Sequence, residues 1–420
     1  MMNKQDPSLE AVKTIQKKLL GKKLNYREVY HLMDEIAHER LSDVLTTYFV
    51  AASFKEGFTA DELYYLTKAM VETGTTIQFP GIVADKHSTG GVAGTRTTMI
   101  LVPIIAAAGF LIPKTSSRAI TSSAGTADVM EVLANVTFTP DQIKKIVEKV
   151  GGCIVWGGKL GIAPADDVII DVEEELSFES FDKVIVSIMA KKVAVSTNHM
   201  VLDIPIGPTM KIRRREDAEK IERKFKTLGK KFDMEIVVDI NEVRQPAGYG
   251  VGPVLEARDV LSVLEQRKSR SLMLEEKTIR LAGKLLDICF EDAKIKKNGK
   301  DEAKKLLENG SALRKFREIL KAQGGNDQIS IEKLKIRAHK HEVKASHRGT
   351  ITKLNNYNLN TLAKVLGAPN DIQAGIYLER KIDDRVEKNE PVLIFYSSDK
   401  HRLNEALDTM TSFPIYEIKS

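Results

Sequence analysis

Asp85 to Thr97 reads DKHSTGGVAGTRT, and Lys114 to Asp128 reads KTSSRAITSSAGTAD. Each stretch crowds glycine, hydroxyls and a cation into a turn. A short apolar run precedes each one, Gly81 to Ala84 and Phe110 to Pro113, with the look of a buried parallel strand. Helical patterns follow, Thr98 to Ala108 and Ala127 to Ala134. A strand, a Gly/Ser/Thr turn and a helix start present unsatisfied backbone N–H groups and the positive end of the helix dipole, a geometry that binds anions. Gly90 and Gly91 can take left-handed backbone angles, while Ser88, Thr89, Ser116, Ser117 and Thr126 add hydroxyl donors and Lys86 adds charge. One such turn often does no more than cap a helix. Two of them about thirty residues apart, each with a cation, read together as a phosphate cradle. Neither carries the Gly-x4-Gly-Lys-Ser/Thr spacing or opens a helix with Gly-x-Gly-x-x-Gly, which argues against a P-loop ATPase and a dinucleotide dehydrogenase.

The 420 residues exceed one ordinary core, so two or three domains are expected. Hydrophobic residues at 42% and charged residues at 29% suit a globular protein, and no apolar run reaches the roughly eighteen residues of a membrane helix. The start, MMNKQDPSLE, lacks a signal-peptide core, which places the chain in the cytoplasm. The two cysteines, Cys153 and Cys289, form no CxxC pair and no zinc spacing. The net charge of +6 arises from 64 basic residues interleaved with 58 acidic ones, which fits a surface that draws anionic metabolites as well as it fits nucleic acid.

Residues 8 to 73 show apolar spacing near 3.6 in four stretches, Leu9 to Leu20, Tyr26 to His38, Ser42 to Glu56 and Thr59 to Glu72. They form a small all-α domain. From Ile77 short apolar strands alternate with helices, the pattern of an α/β domain with a mainly parallel sheet. Cys153 to Asp167 reads as a strand and a glycine-rich loop leading to a helix at about Phe178 to Ala194. Strands at Met200 to Pro205 and Glu235 to Asp239 flank the helix Glu216 to Leu228, and Gln245 to Glu265 is another glycine-rich turn opening a helix. Amphipathic helices follow at Leu274 to Ile288 and Asp301 to Glu308. From Val343 the pattern turns strand-rich, giving a C-terminal α+β domain at 340–420.

The segments DKHSTGG, KTSSRAITSSAGTAD, WGG, APAD, SIMAKK and QPAGYGVGPVLEARD, met in this order, resemble the thymidine and pyrimidine nucleoside phosphorylase family. SSRAITS and GTRTT look most like its AMP phosphorylase branch. The resemblance implies an α domain of residues 1–75 with 168–197, hinged to an α/β domain of 76–167 with 198–339, substrate lying in the cleft between them. It implies phosphorolysis, in which inorganic phosphate displaces a base from C1′ of ribose, with no metal or organic cofactor. The AMP branch usually carries a further N-terminal domain, whereas this chain begins with the α domain. A homodimer through the N-terminal helices is therefore expected rather than a larger assembly.

Carried over residue by residue, the resemblance assigns the phosphate to Lys86, Ser88, Thr97, Ser116 and Thr126. His87 matches a position near base and sugar, where imidazole donates a hydrogen bond or shuttles a proton; a lone histidine is also often structural. Gly91 and the run Ser117, Arg118, Ala119, Ile120, Thr121 and Ser122 match positions that hold the nucleotide in the AMP branch. Arg118 can grip a phosphate or support its loop through a carboxylate. Ser187 and Lys191, four apart on one helical face, match base contacts, and Lys211 matches a further AMP contact, although each also fits an ordinary surface residue. The general acid of the AMP branch is an aspartate where this chain has Glu179, with Asp182 as a substitute candidate. Thymidine phosphorylases carry an arginine for the pyrimidine carbonyl where this chain has Glu173, which argues against an ordinary thymidine site.

The expected reaction is phosphorolysis of a nucleoside 5′-monophosphate, AMP-like, to free base and ribose 1,5-bisphosphate. The alternatives are a thymidine or pyrimidine nucleoside phosphorylase and a non-catalytic nucleotide or nucleic-acid binder. Inorganic phosphate and a nucleotide or nucleoside are the expected partners, with no membrane and no specific nucleic acid.

Overall fold

Side-chain caps set the start of the chain in the computed structural model, which describes residues 7–119, 122–158, 160–176 and 180–420. Four helices come first, α1 (Pro7–Leu19), α2 (Tyr26–Ala37), α3 (Asp43–Glu56) and α4 (Ala60–Glu72). Asn25, Ser42 and Thr59 each accept a first-turn backbone N–H, and Glu28 and Glu62 reach back to close capping boxes. Glu62 also takes the buried Lys18 ammonium at 3.0 Å and the Leu24 N–H at 3.1 Å, tying α4 to the α1–α2 turn. Ile15, Leu32, Met33, Ile36, Leu66 and Met70 meet in the interior of this bundle.

The α/β part follows with β1 (Ala84–Ser88), α5 (Thr97–Ala107), β2 (Ile112–Ser116), α6 (Thr126–Glu131), α7 (Pro140–Val150) and β3 (Gly152–Trp156). The chain then returns to the bundle, α8 (Pro164–Leu176) packing on α2 and α3 and α9 (Phe181–Val193) on α4. It comes back through β4 (His199–Ile206), α10 (Arg215–Lys231), β5 (Glu235–Glu242), the two-residue β6 (Gly250–Val251), α11 (Pro253–Leu264), α12 (Leu272–Asp292), α13 (Gly299–Glu308) and α14 (Ser311–Ala322). Parallel ladders give β1-β4-β5 and β2-β3. One parallel bridge, Val83 to Leu111, joins them into the order β3-β2-β1-β4-β5. Ile185, Ile188 and Met189 of α9 pack against Met200 and Leu202 of β4 and Phe225 of α10, so α9 is shared between bundle and sheet.

Both cradle strands sit later than the apolar runs predict. Asp85 to Ser88 and Lys114 to Ser116 are strand rather than loop. Hydrophobicity misplaces them because their charges are buried and paired: the Asp85 carboxylate meets Lys114 Nζ at 3.1 Å and Lys192 Nζ at 2.7 Å. The glycine-rich stretch after β3 likewise ends at a helix that the sequence pattern does not announce. α8 starts at Pro164, a residue suited to the first helical position, with Asp166 and Asp167 in its first turn.

The last part holds β7 (His339–Lys344), β8 (Gly349–Leu354), α15 (Asn356–Val365), β9 (Gly375–Leu378), β10 (Arg385–Val386), β11 (Pro391–Ser397), α16 (Lys400–Met410) and β12 (Tyr416–Lys419). Its sheets run β10-β8-β12 and β6-β9-β11-β7, so the glycine-rich turn of the α/β part supplies an edge strand to the C-terminal sheet. That corrects the reading of Gln245 to Glu265 as a turn and a helix alone. Close approach explains the glycines there: a Cβ on Gly250 would lie 2.6 Å from the Leu255 carbonyl, and Gly252, at φ +117°, has Ala374 O where a Cβ would sit at 2.4 Å. Among the described residues no helix is long and apolar enough to cross a membrane.

Candidate active site

Parallel strands deliver their C-terminal ends, and the helix starts after them, to one edge of the sheet. Lys86, His87 and Ser88 end β1, Ser116 ends β2, Thr97 opens α5 and Thr126 opens α6. Ser88 and Ser116 each stand five residues past the Val83–Leu111 bridge, so the two strands bring them to the same level.

Lys86 is 4% exposed and lies 3.9 Å from the carboxylate of Asp203 on β4. Burial pushes its ammonium down to about 8; Asp203 opposes the shift, and Lys277 and Arg96 add to it. Burial also disfavours charge on Asp203, but Lys277 at 3.2 Å, Lys86 and the Asn241 amide at 2.7 Å hold it below the usual carboxylate range. The Ser88 hydroxyl donates to Asp203 at 3.1 Å and accepts the Gly90 N–H at 3.3 Å. Behind this group burial disfavours charge on Asp85, yet Lys114 and Lys192 keep it ionised, while burial pulls Lys192 down to about 7. Burial, then the crowd of Lys192, Lys114, Lys86 and Lys191, holds the His87 imidazole far below its ordinary value. It is neutral near pH 7, which leaves the hydrogen-bonding role and removes that of a standing imidazolium acid.

Several buried hydroxyls in this region have no partner, those of Thr89, Thr97, Thr115, Ser116 and Ser123. Thr97 Oγ1 and Ser116 Oγ are buried and make no hydrogen bond, although a buried hydroxyl is normally satisfied. Thr126 Oγ1 accepts a hydrogen bond from Arg96 Nη1 at 3.1 Å, which leaves its own proton to give. Arg96, which sequence pattern assigns no role, links the two loops. Its guanidinium pairs with the buried Glu256 at 2.7 Å and donates to Ala124 O at 2.8 Å.

The second loop is held from within. Asp128 accepts the N–H groups of Ala119 at 2.7 Å and Gly125 at 2.8 Å and pairs with Arg118 at 3.0 Å. Arg118 also makes a two-pronged pair with Glu131 at 2.6 and 2.9 Å and stacks over Trp156 at 4.8 Å. Of the two roles open to Arg118, the structure gives the supporting one. The Ser122 hydroxyl is turned to Ala124 O at 2.8 Å, and Ser117 O accepts the Ala127 N–H at 3.2 Å. Ile120 and Thr121, and the expected acid Glu179, lie outside the described residues.

The α8 and α9 helices bring Ser187 and Lys191 together on one buried carboxylate. Asp166, the aspartate of APAD, accepts the Ser187 hydroxyl at 2.6 Å and pairs with Lys191 at 2.8 Å and Lys183 at 2.8 Å. Burial opposes its charge, but Lys183 and Lys191 drive it well below the usual range. Glu173 faces Lys183 at 3.2 Å. Asp182, the substitute candidate, accepts the Phe58 N–H at 3.0 Å and is paired with Lys224 of α10. Gly91, at φ +85°, lies against Lys211, whose Cγ would be 3.2 Å from a Cβ there. Lys211 and Thr89 line a recess with Phe181, Val184, Ile185 and Phe225, so the first loop, α9 and the Lys211 turn share one hollow.

Three family models match the chain. The helical bundle domain of the glycosyl transferase family matches residues 12–74, its a/b domain matches 80–313, and the pyrimidine nucleoside phosphorylase C-terminal domain matches 350–414. An AMP phosphorylase 1 of Archaeoglobus fulgidus is 41% identical over 96% of this chain and 79% of its own. A "Putative thymidine phosphorylase" of Legionella pneumophila is 39% identical over 96% of this chain and 77% of its own. The crystal structure of anthranilate phosphoribosyltransferase from Thermus thermophilus superposes with a TM-score of 0.63 at 17% identity, covering 74% of this chain and 99% of that one, which is a likeness of fold.

Proposed function

From the premise that the chain belongs to the glycosyl transferase family of the AMP and pyrimidine nucleoside phosphorylases, we propose that it cleaves a nucleoside 5′-monophosphate, AMP-like, with inorganic phosphate. The products are the free base and ribose 1,5-bisphosphate, which makes the enzyme a pentosyltransferase. One observation carries the reading: the buried cation Lys86 stands at a sheet edge where Thr97 and Ser116 keep hydroxyls with no partner. An anion supplies what those donors lack.

Phosphate rests on Lys86, Ser116, Thr97 and Thr126, with Ser88 turning to it from Asp203, and one of its oxygens attacks C1′ of the ribose. The C1′–N bond breaks as the C1′–O bond forms, and its electron pair leaves with the base. The carboxyl of Glu179 delivers the proton to the base. Neutral His87 offers a hydrogen bond at the sugar, and Asp166 keeps Ser187 and Lys191 oriented toward the base. Gly91, Lys211 and the run 117–122, braced by Arg118 through Asp128 and Glu131, hold the 5′-nucleotide. No metal or organic cofactor is needed for this chemistry. A cytoplasmic homodimer joined through the N-terminal helices belongs to the same proposal.

Incubation of AMP, CMP, UMP, thymidine and uridine with and without inorganic phosphate, read by base release, tests the reading. Phosphate-dependent release from a nucleotide is expected, and Lys86→Ala is expected to lower kcat/KM by at least about a hundredfold while staying folded. Turnover of thymidine alone, or near wild-type rates in Lys86→Ala, would overturn it.

A further inference from the structure

The two glycine-rich loops are far apart in sequence from the C-terminal domain, yet one of its helices grips both. Asn356, the first residue of α15, is 2% exposed and uses both ends of its amide on the first loop. Its Oδ1 accepts the Ala93 N–H at 2.8 Å, and its Nδ2 donates to Gly91 O at 2.5 Å. Asn360, one turn further and 5% exposed, accepts the Ser123 N–H of the second loop at 3.0 Å. Its own Nδ2 donates to the backbone O of Asn356 at 3.2 Å, which orients the Asn360 amide. The four-residue spacing puts both on one face of α15. Ala93 is itself buried in the C-terminal core, so the first loop is an inserted piece of that domain's interior.

These contacts fall on the backbone of particular residues. Gly91 carries the left-handed turn against Lys211, and Ser123 directly follows the run 117–122. Among the described residues, the hydrogen bonds of Asn356 and Asn360 to the two loops fall on Gly91, Ala93 and Ser123 rather than on the strand ends and helix starts that carry Lys86, Thr97, Ser116 and Thr126. The clamp therefore divides the site, touching the nucleotide-holding segments and leaving the phosphate cradle to the sheet. We propose that Asn356 and Asn360 are positioning residues for nucleotide selection, fixing the first and second loops in the shape that accepts a 5′-phosphorylated ribose. This rests on the functional reading above and names the part of the fold that sets its substrate class.

The test uses the full chain, with Asn356→Ala and Asn360→Ala compared with the wild type. KM for the nucleotide is expected to rise about tenfold in each, from the loss of one or two net hydrogen bonds, while KM for inorganic phosphate stays within about twofold. The preference for AMP over adenosine is expected to fall by the same factor as nucleotide KM rises. Equal changes in both KM values, or none, would overturn the clamp as a selectivity device. Amide hydrogen exchange of the free protein supplies a readout independent of turnover. Asn356→Ala is expected to speed exchange across 89–95 and Asn360→Ala across 119–125, and unchanged exchange would overturn the proposal even if the wild type proved inactive on nucleotides. A wild type that cleaves no nucleotide, with the loops freed as expected, would sink the functional reading and the selection role resting on it, leaving only a loop contact. Asn356→Asp and Asn360→Asp, which keep the acceptor and lose the donor, serve where alanine does not fold. At 356 the carboxylate then faces Gly91 O, so the same split in KM is expected there, and its absence would count against the clamp.

Discussion

Lys86 is a cation placed where water contributes little, so its charge depends on what sits beside it. With its ammonium held to about 8 by burial and by Lys277 and Arg96, it is charged at neutral pH and loses the proton as pH rises through that value. A bound phosphate favours the charged form, so phosphate affinity falls as the free lysine deprotonates. With phosphate counted as its dianion, KM is expected to change by less than about twofold up to pH 7.5 and to climb toward about tenfold per pH unit above 8, measured by initial rates at saturating nucleotide. A flat profile to pH 9.5 would show that this charge is not used. Arg118 shows how residue type alone leaves a role open: a guanidinium in a Gly/Ser loop suits a phosphate, but Asp128 and Glu131 have already claimed it.

At the scale of elements, charge rather than apolar content decides where the cradle strands lie. Asp85 on β1 faces Lys114 on β2 and Lys192 on α9, all three buried. Lys114→Met is expected to cost about 3–5 kcal/mol, since it leaves the buried Asp85 carboxylate with one cationic partner, as read from urea unfolding. A loss below about 1 kcal/mol would show that Lys192 alone suffices. The same pairing explains the limits of reading the chain by pattern. The four N-terminal helices, the parallel α/β middle and the segments carrying Lys86, Ser116, Ser187 and Lys211 were legible, because periodicity and local motifs report on neighbours in sequence. The strand starts at Ala84 and Ile112 were not, because a buried charge pair mimics a polar loop until its partner is known. Arg96 with Glu256, and Asn356 with Gly91, were invisible for the same reason: each joins residues more than a hundred positions apart.

The whole molecule is stitched by segments that leave one domain to complete another. α8 and α9 return to the bundle from the sheet, and β6 leaves the sheet domain to edge the C-terminal one. Gly252 marks that last crossing. Gly252→Ala places a methyl on Ala374 O at a backbone angle that L-residues avoid, and a loss of about 2–4 kcal/mol is expected in chemical denaturation. An unchanged midpoint would mean that the C-terminal sheet can shift without consequence. The sheet itself has a seam. Among the described residues the Val83–Leu111 bridge is the only ladder contact between β1 and β2, and beyond it the strands are held through the carboxylate of Asp85. Ser88 and Ser116 stand above that seam, so the gauge of the anion seat is fixed by an ionic rivet under its floor rather than by ladder hydrogen bonds. Salt in the surrounding water, which loosens surface pairs, does not reach this rivet, and the seat keeps its width across ionic strengths that would dissolve a surface grip.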